Sequence, residues 1–420
     1  MRQLEEATGA SVTFASIVQK KRRSVCIITF SPVARDVRVL RQIQYLSRRY
    51  DVTAIGEGRA HPMWSSMEGV RWVPTHPIGP EAAPRRLARR AGGLSMLLAG
   101  RLYPPLFERW YWRQPIMKDT LAKAVATGSD AFHANDWNTL PIAVEAARKL
   151  GGRVVVFDAH EYGPLELADR LGWRVAYSAM IRRLLRRYAP AADASLTVAP
   201  AIAERYKREL GIDPLVLMNA PASTGPPPDE AEAFDPEDVR LVYHGGAIPN
   251  RGLEAMIRTL ALSDRRYTLH LLLVGDDLAY IRRLKALAEE LTPGRVTFHD
   301  PVPPEEIIRR IARFQVGFCF VAPTNYNNLV CLPNKFFDFI AAGLPVCIGP
   351  SPSMVEIADS YGFACVAASF EPRDIAAALN ALSAERLAEM RAAARRAAEE
   401  INADREMGKL VEVYERLLGE

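Results

Sequence analysis

Residues 241–257 read LVYHGGAIPNRGLEAMI. Leu241–Tyr243 is an apolar run that suits a strand covered on both faces. Gly245 and Gly246 follow at once, and from Gly252 apolar residues recur at helical spacing. Strand, glycine turn and helix make the unit of a doubly wound α/β sheet, where ligands gather at the carboxyl ends of the strands. The glycines let backbone approach a ligand closely, and the helix N-terminus offers unpaired N–H groups to an anion. Arg251 stands where its forked cation can clamp a diphosphate. A plain glycine turn with an exposed arginine accounts for the same residues, so this stretch alone leaves both readings open.

The alternation continues outward in both directions. Downstream, strands are expected at Leu269–Val274, Val296–Phe298, Val316–Val321, Val346–Ile348 and Ala364–Val366, with helices at Gly252–Ser263, Leu278–Leu291, Pro304–Phe314 and Asn334–Ala342 between them. Residues 372–418 are rich in Ala, Glu and Arg and read as helices only. Upstream, Val25–Phe30, Asp51–Ile55, Val70–Val73, Ala131–Ala134, Arg153–Phe157 and Ser195–Val198 read as a second set of strands, separated by helices such as Val37–Arg49 and Leu140–Leu150. Between the two sets, Pro221–Asp238 (PASTGPPPDEAEAFDPED) is proline-rich, acidic and without period, as a linker is. The expected organisation is an N-terminal extension at 1–23, a first Rossmann-like domain at 24–222, a linker at 223–238, a second Rossmann-like domain at 239–400 and a C-terminal helix at 401–420. A length of 420 residues agrees with two domains facing a central cleft.

A second stretch, Leu332–Val346 (LPNKFFDFIAAGLPV), carries chemistry as well as structure. Pro333 suits a helix start. Asn334 and Lys335 then fall in the first turn, with Asp338 about one turn on, able to accept hydrogen bonds from ligand hydroxyls. A lysine at a helix N-terminus opposes the macrodipole unless an anion sits nearby to offset it. The competing reading makes Phe336, Phe337 and Ile340 core and leaves Lys335 and Asp338 on a solvated face.

Composition excludes collagen-like, coiled-coil and disordered chains: 49% hydrophobic, 25% charged, with 26 Gly and 30 Pro. The net charge of +5 conceals a division. Lys20–Arg23 carries +4, Glu81–Lys118 carries +6 and Arg170–Arg187 carries +6, over a remainder of −11. Five cysteines without CxxC spacing fit buried thiols in a reducing compartment. Neither a secretory signal nor an apolar run of membrane-spanning length is expected, so the chain reads as cytoplasmic.

The pair GGAIPNRGLEAMI and LPNKFFDFIAAGLPV, in this order in a second Rossmann-like half, resembles the retaining GT-B glycosyltransferases of family four. Asn219-Ala220-Pro221 is similar to the family's asparagine turn. In the first half, Asp36-Val37-Arg38-Val39, His133-Ala134-Asn135-Asp136-Trp137 and Asp158-Ala159-His160-Glu161 resemble its landmarks. The resemblance spans residues 25 to 418. It implies a GT-B fold and transfer of a sugar, a hexose, from a nucleotide-sugar donor to an acceptor hydroxyl with retained anomeric configuration. A UDP-sugar would be the first choice of donor and a GDP-sugar the next; the acceptor would be a cell-surface glycan or a lipid-linked sugar. The donor would meet Gly245, Gly246, Arg251, Asn334, Lys335 and Asp338, with Arg251 and Lys335 neutralising the diphosphate and Asp338 holding the ribose. The catalytic candidates are His160, Asn135 and Asp136, and Asp36, Arg38 and Glu161 belong to the acceptor side. No metal and no other cofactor is implied; Gly275-Asp276-Asp277 reads as a turn.

The chain departs from the family's pattern in three places. Val330 stands where the first acid of the Glu-x7-Glu pair would be, with Asn327 or Asn328 as substitutes for its sugar contact. Gly246 replaces an arginine found in many relatives, and Asn135 replaces a histidine. His160 reads equally as a sugar-contacting imidazole or as a satisfied structural one. An epimerase or phosphorylase on the same scaffold, and an inactive membrane-docked nucleotide-sugar-binding protein, are the competing functions.

Pro84–Lys118 interleaves arginine pairs with Leu, Met, Tyr, Trp and Phe, a composition suited to an anionic bilayer surface. A helical insertion with solvated arginines is the alternative. No nucleic-acid recognition motif accompanies the charge.

Overall fold

In the computed structural model, residues 22–33, 36–58, 60–62, 64, 67–75, 95–222, 235–249, 251–275 and 277–419 are described. The expected N-terminal extension but for Arg22 and Arg23, most of the linker, the arginine pairs within 84–94, Asn250 and Asp276 lie outside them.

Unbroken apolar runs become parallel strands sandwiched between helices, because neither face of such a strand can be left to water. The first sheet has seven strands: β1 (Ser24–Pro32), β2 (Asp51–Glu57), β3 (Val70–Pro74), β4 (Ala131–Asn135), β5 (Val154–Ala159), β6 (Ala194–Thr197) and β7 (Leu215–Val216). Their order is β3-β2-β1-β4-β5-β6-β7, and every pairing is parallel. The second sheet has six: β8 (Val239–Gly246), β9 (Tyr267–Val274), β10 (Val296–His299), β11 (Val316–Cys319), β12 (Val346–Ile348) and β13 (Ala364–Val366), ordered β10-β9-β8-β11-β12-β13 and again parallel. Both orders reverse at the first strand of the sheet. The reversal opens a crevice beyond the carboxyl ends of β1 and β4 in one domain, and of β8 and β11 in the other.

The expected segments differ from the observed ones mostly at their ends, with one exception of substance. Pro304–Phe314, expected as one helix, is a 3₁₀ turn, Pro304–Glu306, followed by a short helix, Ile307–Ile311. A strand of two residues, β7, and a helix of five, Tyr326–Val330, have no counterpart in the expectation.

The last helix, Ala403–Leu418, leaves the second domain and packs on the first. Met407, Leu410 and Tyr414 join Val25, Ile27, Val39 and Ile43 in one buried cluster. Polar contacts register the helix: Tyr45 donates to Asp404 (2.5 Å), Met218 N–H to Glu406 (2.7 Å), and the Tyr414 hydroxyl meets His133 Nδ1 at 2.9 Å. All five cysteines are free, four of them buried. Among the described residues no helix is long and apolar enough to cross a membrane.

Candidate active site in the interdomain cleft

In the first domain the apolar strand β4 ends at Asn135, and the chain turns sharply through Asp136. Asp136 is the non-glycine residue with a left-handed backbone among those described (φ 67°). Its N–H donates to the Asp158 carbonyl at 2.8 Å, which holds the end of β4 against the end of β5. That turn aims its carboxylate at His160, just past β5. Asp136 Oδ1 accepts from the His160 backbone N–H (3.2 Å), and Oδ2 lies 3.2 Å from His160 Nδ1. The other ring nitrogen, Nε2, is 3.0 Å from Asn135 Oδ1 and 3.4 Å from Asp158 Oδ2. Burial works against the His160 imidazolium, but Asp136 and Asp158 outweigh it and raise its pKa to about 10. Both ring nitrogens of His160 thus have partners within the protein, while 20% of the side chain remains exposed. Asp136 itself leaves 38% of its side chain exposed.

Beneath this cluster lies Asp158, fully buried. Arg38 grips it in a two-pronged contact, Nε to Oδ2 at 2.8 Å and Nη2 to Oδ1 at 2.7 Å, while Nη1 donates to the Leu217 carbonyl. Gln42 Nε2 donates to the same carboxylate. Asp158 is held well below the usual carboxylate range: burial opposes its charge, and Arg38 and His160 overcome that. Arg38, expected on the acceptor side, is therefore an internal cation with 4% exposure. A buried carboxylate needs a partner of this kind. Asp36 is also occupied: it caps the helix Val37–Leu46 through Val39 N–H and accepts from Ser31 Oγ at 2.5 Å.

In the second domain Gly245 carries φ 128°, in the region that favours glycine, and the side chain of Lys335 crosses it. A Cβ at Gly245 would lie 3.7 Å from Lys335 Cε. Lys335 projects from the first turn of the helix Asn334–Ala341, donates to the Tyr243 hydroxyl at 3.0 Å, and sits 4.4 Å above that ring. One turn on, Asp338 Oδ2 is 3.4 Å from His244 Nε2. Burial, then Lys335, lower the His244 pKa to about 4, so that ring is neutral. Burial raises Asp338 to about 6, against the pull of Arg41 and Lys335.

The domains meet over this site. Arg41 Nη1 donates to the Asn219 side chain at 2.7 Å, and Asn219 Nδ2 donates to Asn334 Oδ1 at 2.6 Å. The Asn219-Ala220-Pro221 turn thus joins a first-domain cation to the lysine-bearing helix. Gly246 ends β8, and Arg251 is exposed beside it. The charge of Arg251 reaches Glu161, whose pKa is pushed up to about 7, first by desolvation in the cleft and then by Glu166 and Asp136.

Asn327 and Asn328, expected as substitutes for the missing acid, both make hydrogen bonds within the protein. Asn327 accepts from Tyr162 N–H (3.0 Å) and donates to Glu161 Oε2 (3.2 Å), while Asn328 donates to Thr324 (2.7 Å). Tyr326 donates to the Ala201 carbonyl at 2.9 Å, so the helix Tyr326–Val330 docks one domain on the other. Val330 itself is 3% exposed and belongs to the core. Sequence reasoning missed Asp158, Arg41 and Tyr243 as members of the site. Asp158 had a signal in the quoted DAHE stretch; the other two were ordinary residues of a helix and a strand. Among the described residues there is no group of three or more His, Cys, Asp or Glu able to hold a metal ion.

Comparison with known proteins follows the two-domain division. Residues 36–219 match the family described as Glycosyltransferase Family 4, and residues 238–385 match the family described as Glycosyl transferases group 1. No curated protein sequence matches the chain significantly. Among solved structures, sucrose-phosphate synthase from Thermosynechococcus elongatus is similar with a TM-score of 0.69 at 14% identity, covering 95% of this chain and 100% of that one. Anabaena HepE in complex with UDP gives 0.66 at 13% identity over 94% and 100% of the two chains. HepE in complex with UDP-glucose gives 0.63 at 14% identity over 94% and 99%. A glycosyltransferase from Rickettsia africae gives 0.63 at 10% identity over 95% and 99%. At these identities the likeness to solved structures is one of fold.

Proposed function

The chain belongs to the GT4-like GT-B glycosyltransferases, and on that premise we propose that it moves a hexose, with retention, from a nucleotide-sugar donor to a hydroxyl of a glycan or lipid-linked acceptor. UDP-sugars are the first choice of donor, since the similar HepE structures contain UDP and UDP-glucose; GDP-sugars come next. The observation that carries the reading is Lys335 lying across Gly245 at the end of β8, held at 3.0 Å by Tyr243. That puts a fixed ammonium and an unobstructed backbone where a diphosphate would rest.

In this reading Lys335 and Arg251 stabilise the charge that grows on the diphosphate as the anomeric C–O bond breaks, an interaction stronger in the transition state than before it. With two cations in that role, no metal is needed. Asp338, kept ionised by Arg41 and Lys335, accepts from the ribose hydroxyls. The acceptor enters between Asp136 and Glu161, with His160 fixing the orientation of Asp136 and Asn135 fixing His160. The protein works at the cytoplasmic face of a membrane and contributes to polysaccharide or glycolipid assembly.

The test is thermal stabilisation by UDP, GDP, ADP and dTDP, since a ligand that binds only the folded state raises the unfolding temperature. Lys335→Ala and Arg251→Ala are expected to abolish the shift given by the best nucleotide. Variants that bind a nucleotide sugar as tightly as the parent would sink the donor site.

A further inference from the structure

Two of the three basic segments, far apart in the sequence, are brought together by the fold. Residues 95–118 and 170–187 hold ten Lys and Arg and a single carboxylate, Glu108. Glu108 ties the two segments together, with ion pairs to Arg183 (3.2 Å) and Arg187 (2.8 Å). Arg101 Nη1 donates to the Val175 carbonyl across the same junction (3.4 Å), and Trp110 packs edge-on against Tyr177 at 5.9 Å. Arg182 approaches Glu209 at 3.7 Å. The remaining cations have no ion-pair partner among the described residues.

Between the two elements lies a cavity of about 330 Å³ lined by Arg101, Phe107, Arg182, Arg183 and Arg186. On the other flank a cavity of about 880 Å³ is lined by Met96, Leu106, Arg109, Trp112, Arg113 and Lys118. The turn between the flanks carries Leu102 at 92% exposure and Tyr103 at 59%. Leu171, 67% exposed, stands beside Arg170 and Arg174 on the second element. Apolar side chains held out in water with arginines on either side fit an interface whose outer layer is anionic and whose inner layer is hydrocarbon. A protein partner would call for a closed, matched surface; duplex nucleic acid would gain nothing from Leu102 and Leu171.

We propose that this composite face docks the protein onto an anionic phospholipid surface, the Leu102–Tyr103 turn entering the headgroup layer while the flanking arginines and Lys118 meet lipid phosphates. From Glu161 in the cleft the chain runs directly to Arg170 and Arg174, so the docked face adjoins the acceptor side. The lipid contact deepens the membrane-face reading proposed above, and the last placement rests on the acceptor side assigned there.

Co-flotation of the full chain with vesicles of phosphatidylglycerol and phosphatidylcholine, against phosphatidylcholine alone, tests it. The protein is expected to float with the anionic vesicles only and to be released by 0.5 M NaCl, which screens exposed charge. Arg109→Gln with Arg186→Gln, one exposed cation from each element, should weaken partitioning roughly 30-fold. Leu102→Ser with Tyr103→Ser should also reduce it, and circular dichroism should stay unchanged for both pairs. Equal behaviour on the two vesicle types, no flotation, or variants that float like the parent would overturn the proposal. So would retention by a DNA duplex without vesicle binding. Flotation needs no nucleotide, so a chain that floats but binds no nucleotide sugar counts against the donor site alone.

Discussion

Replacing Arg38 by methionine keeps the apolar stem and removes the guanidinium from a carboxylate that has no access to water. Asp158 is 0% exposed and Arg38 4%, with two contacts of 2.7 and 2.8 Å between them. Removing one partner of such a pair costs about 3–5 kcal/mol, because the other charge stays buried without its counter-ion. Gln42 and His160 remain within reach of Asp158, which sets the expected loss near the lower end, about 3 kcal/mol. For a domain of this size that is about 6–12 °C in unfolding temperature. The pH dependence has a definite sign. The folded Asp158 pKa lies well below its unfolded value, so the pair's contribution is present above the unfolded value and is lost as pH falls toward the folded one. Parent and variant should therefore converge on acidification below about pH 4. Urea unfolding followed by tryptophan fluorescence at pH 7 and at pH 3.5 reads both effects. Asp158→Asn combined with Arg38→Met should recover a large part of the loss, since the two residues are in direct contact. A cost under about 1 kcal/mol, accompanied by weakened acceptor binding, would refute the reasoning and return Arg38 to the acceptor side.

Three further outcomes are expected. His160, raised to about 10 with Asp136 among the causes, should titrate there by NMR and fall by at least one unit in Asp136→Asn; its contribution to stability is full below about pH 6.5 and lost as pH climbs through 10. A parent midpoint near the ordinary histidine value would count against the ion cluster. Affinity for UDP-glucose, which has no terminal phosphate proton to titrate, should drop as pH falls below about 6 because Asp338 then protonates, and Arg41→Gln should move that midpoint upward; a flat calorimetric profile from pH 5 to 8 excludes Asp338 as the ribose acceptor. At Gly252, where φ is +83° and a Cβ would stand 2.4 Å from the Phe320 ring, alanine should destabilise the second domain by about 2–4 kcal/mol in urea unfolding, and a loss below about 1 kcal/mol would mean the ring yields freely.

The strands of both domains were legible because a parallel strand covered on two faces writes itself as an unbroken apolar run. The helix Asn334–Ala341 was legible through Pro333 and through Lys335, whose charge opposes the helix dipole. Five residues carry no detectable period, so Tyr326–Val330 could not be read, nor could the two residues of β7. Val330 was noted as a departure from the family's pattern, but only its burial shows that the position is core rather than cleft. Asn327 looked like a sugar contact by residue type, and its amide is consumed by Tyr162 and Glu161 of the other domain.

By itself the sequence determined two parallel sheets, the glycine turn and the lysine-bearing helix of the second domain, and an uneven charge distribution, all of which depend on residues close together in the chain. Tertiary structure alone decided which charges are paired and which are free. Arg38 finds Asp158 across 120 positions, and Tyr414 finds His133 across 281. Arg41 reaches the second domain through Asn219, and two basic segments merge into one face around Glu108. Periodicity and motif are local properties that a short window of sequence records. The partner of a buried charge is chosen by packing, since only the folded chain removes water from Asp158 and makes its neighbours count.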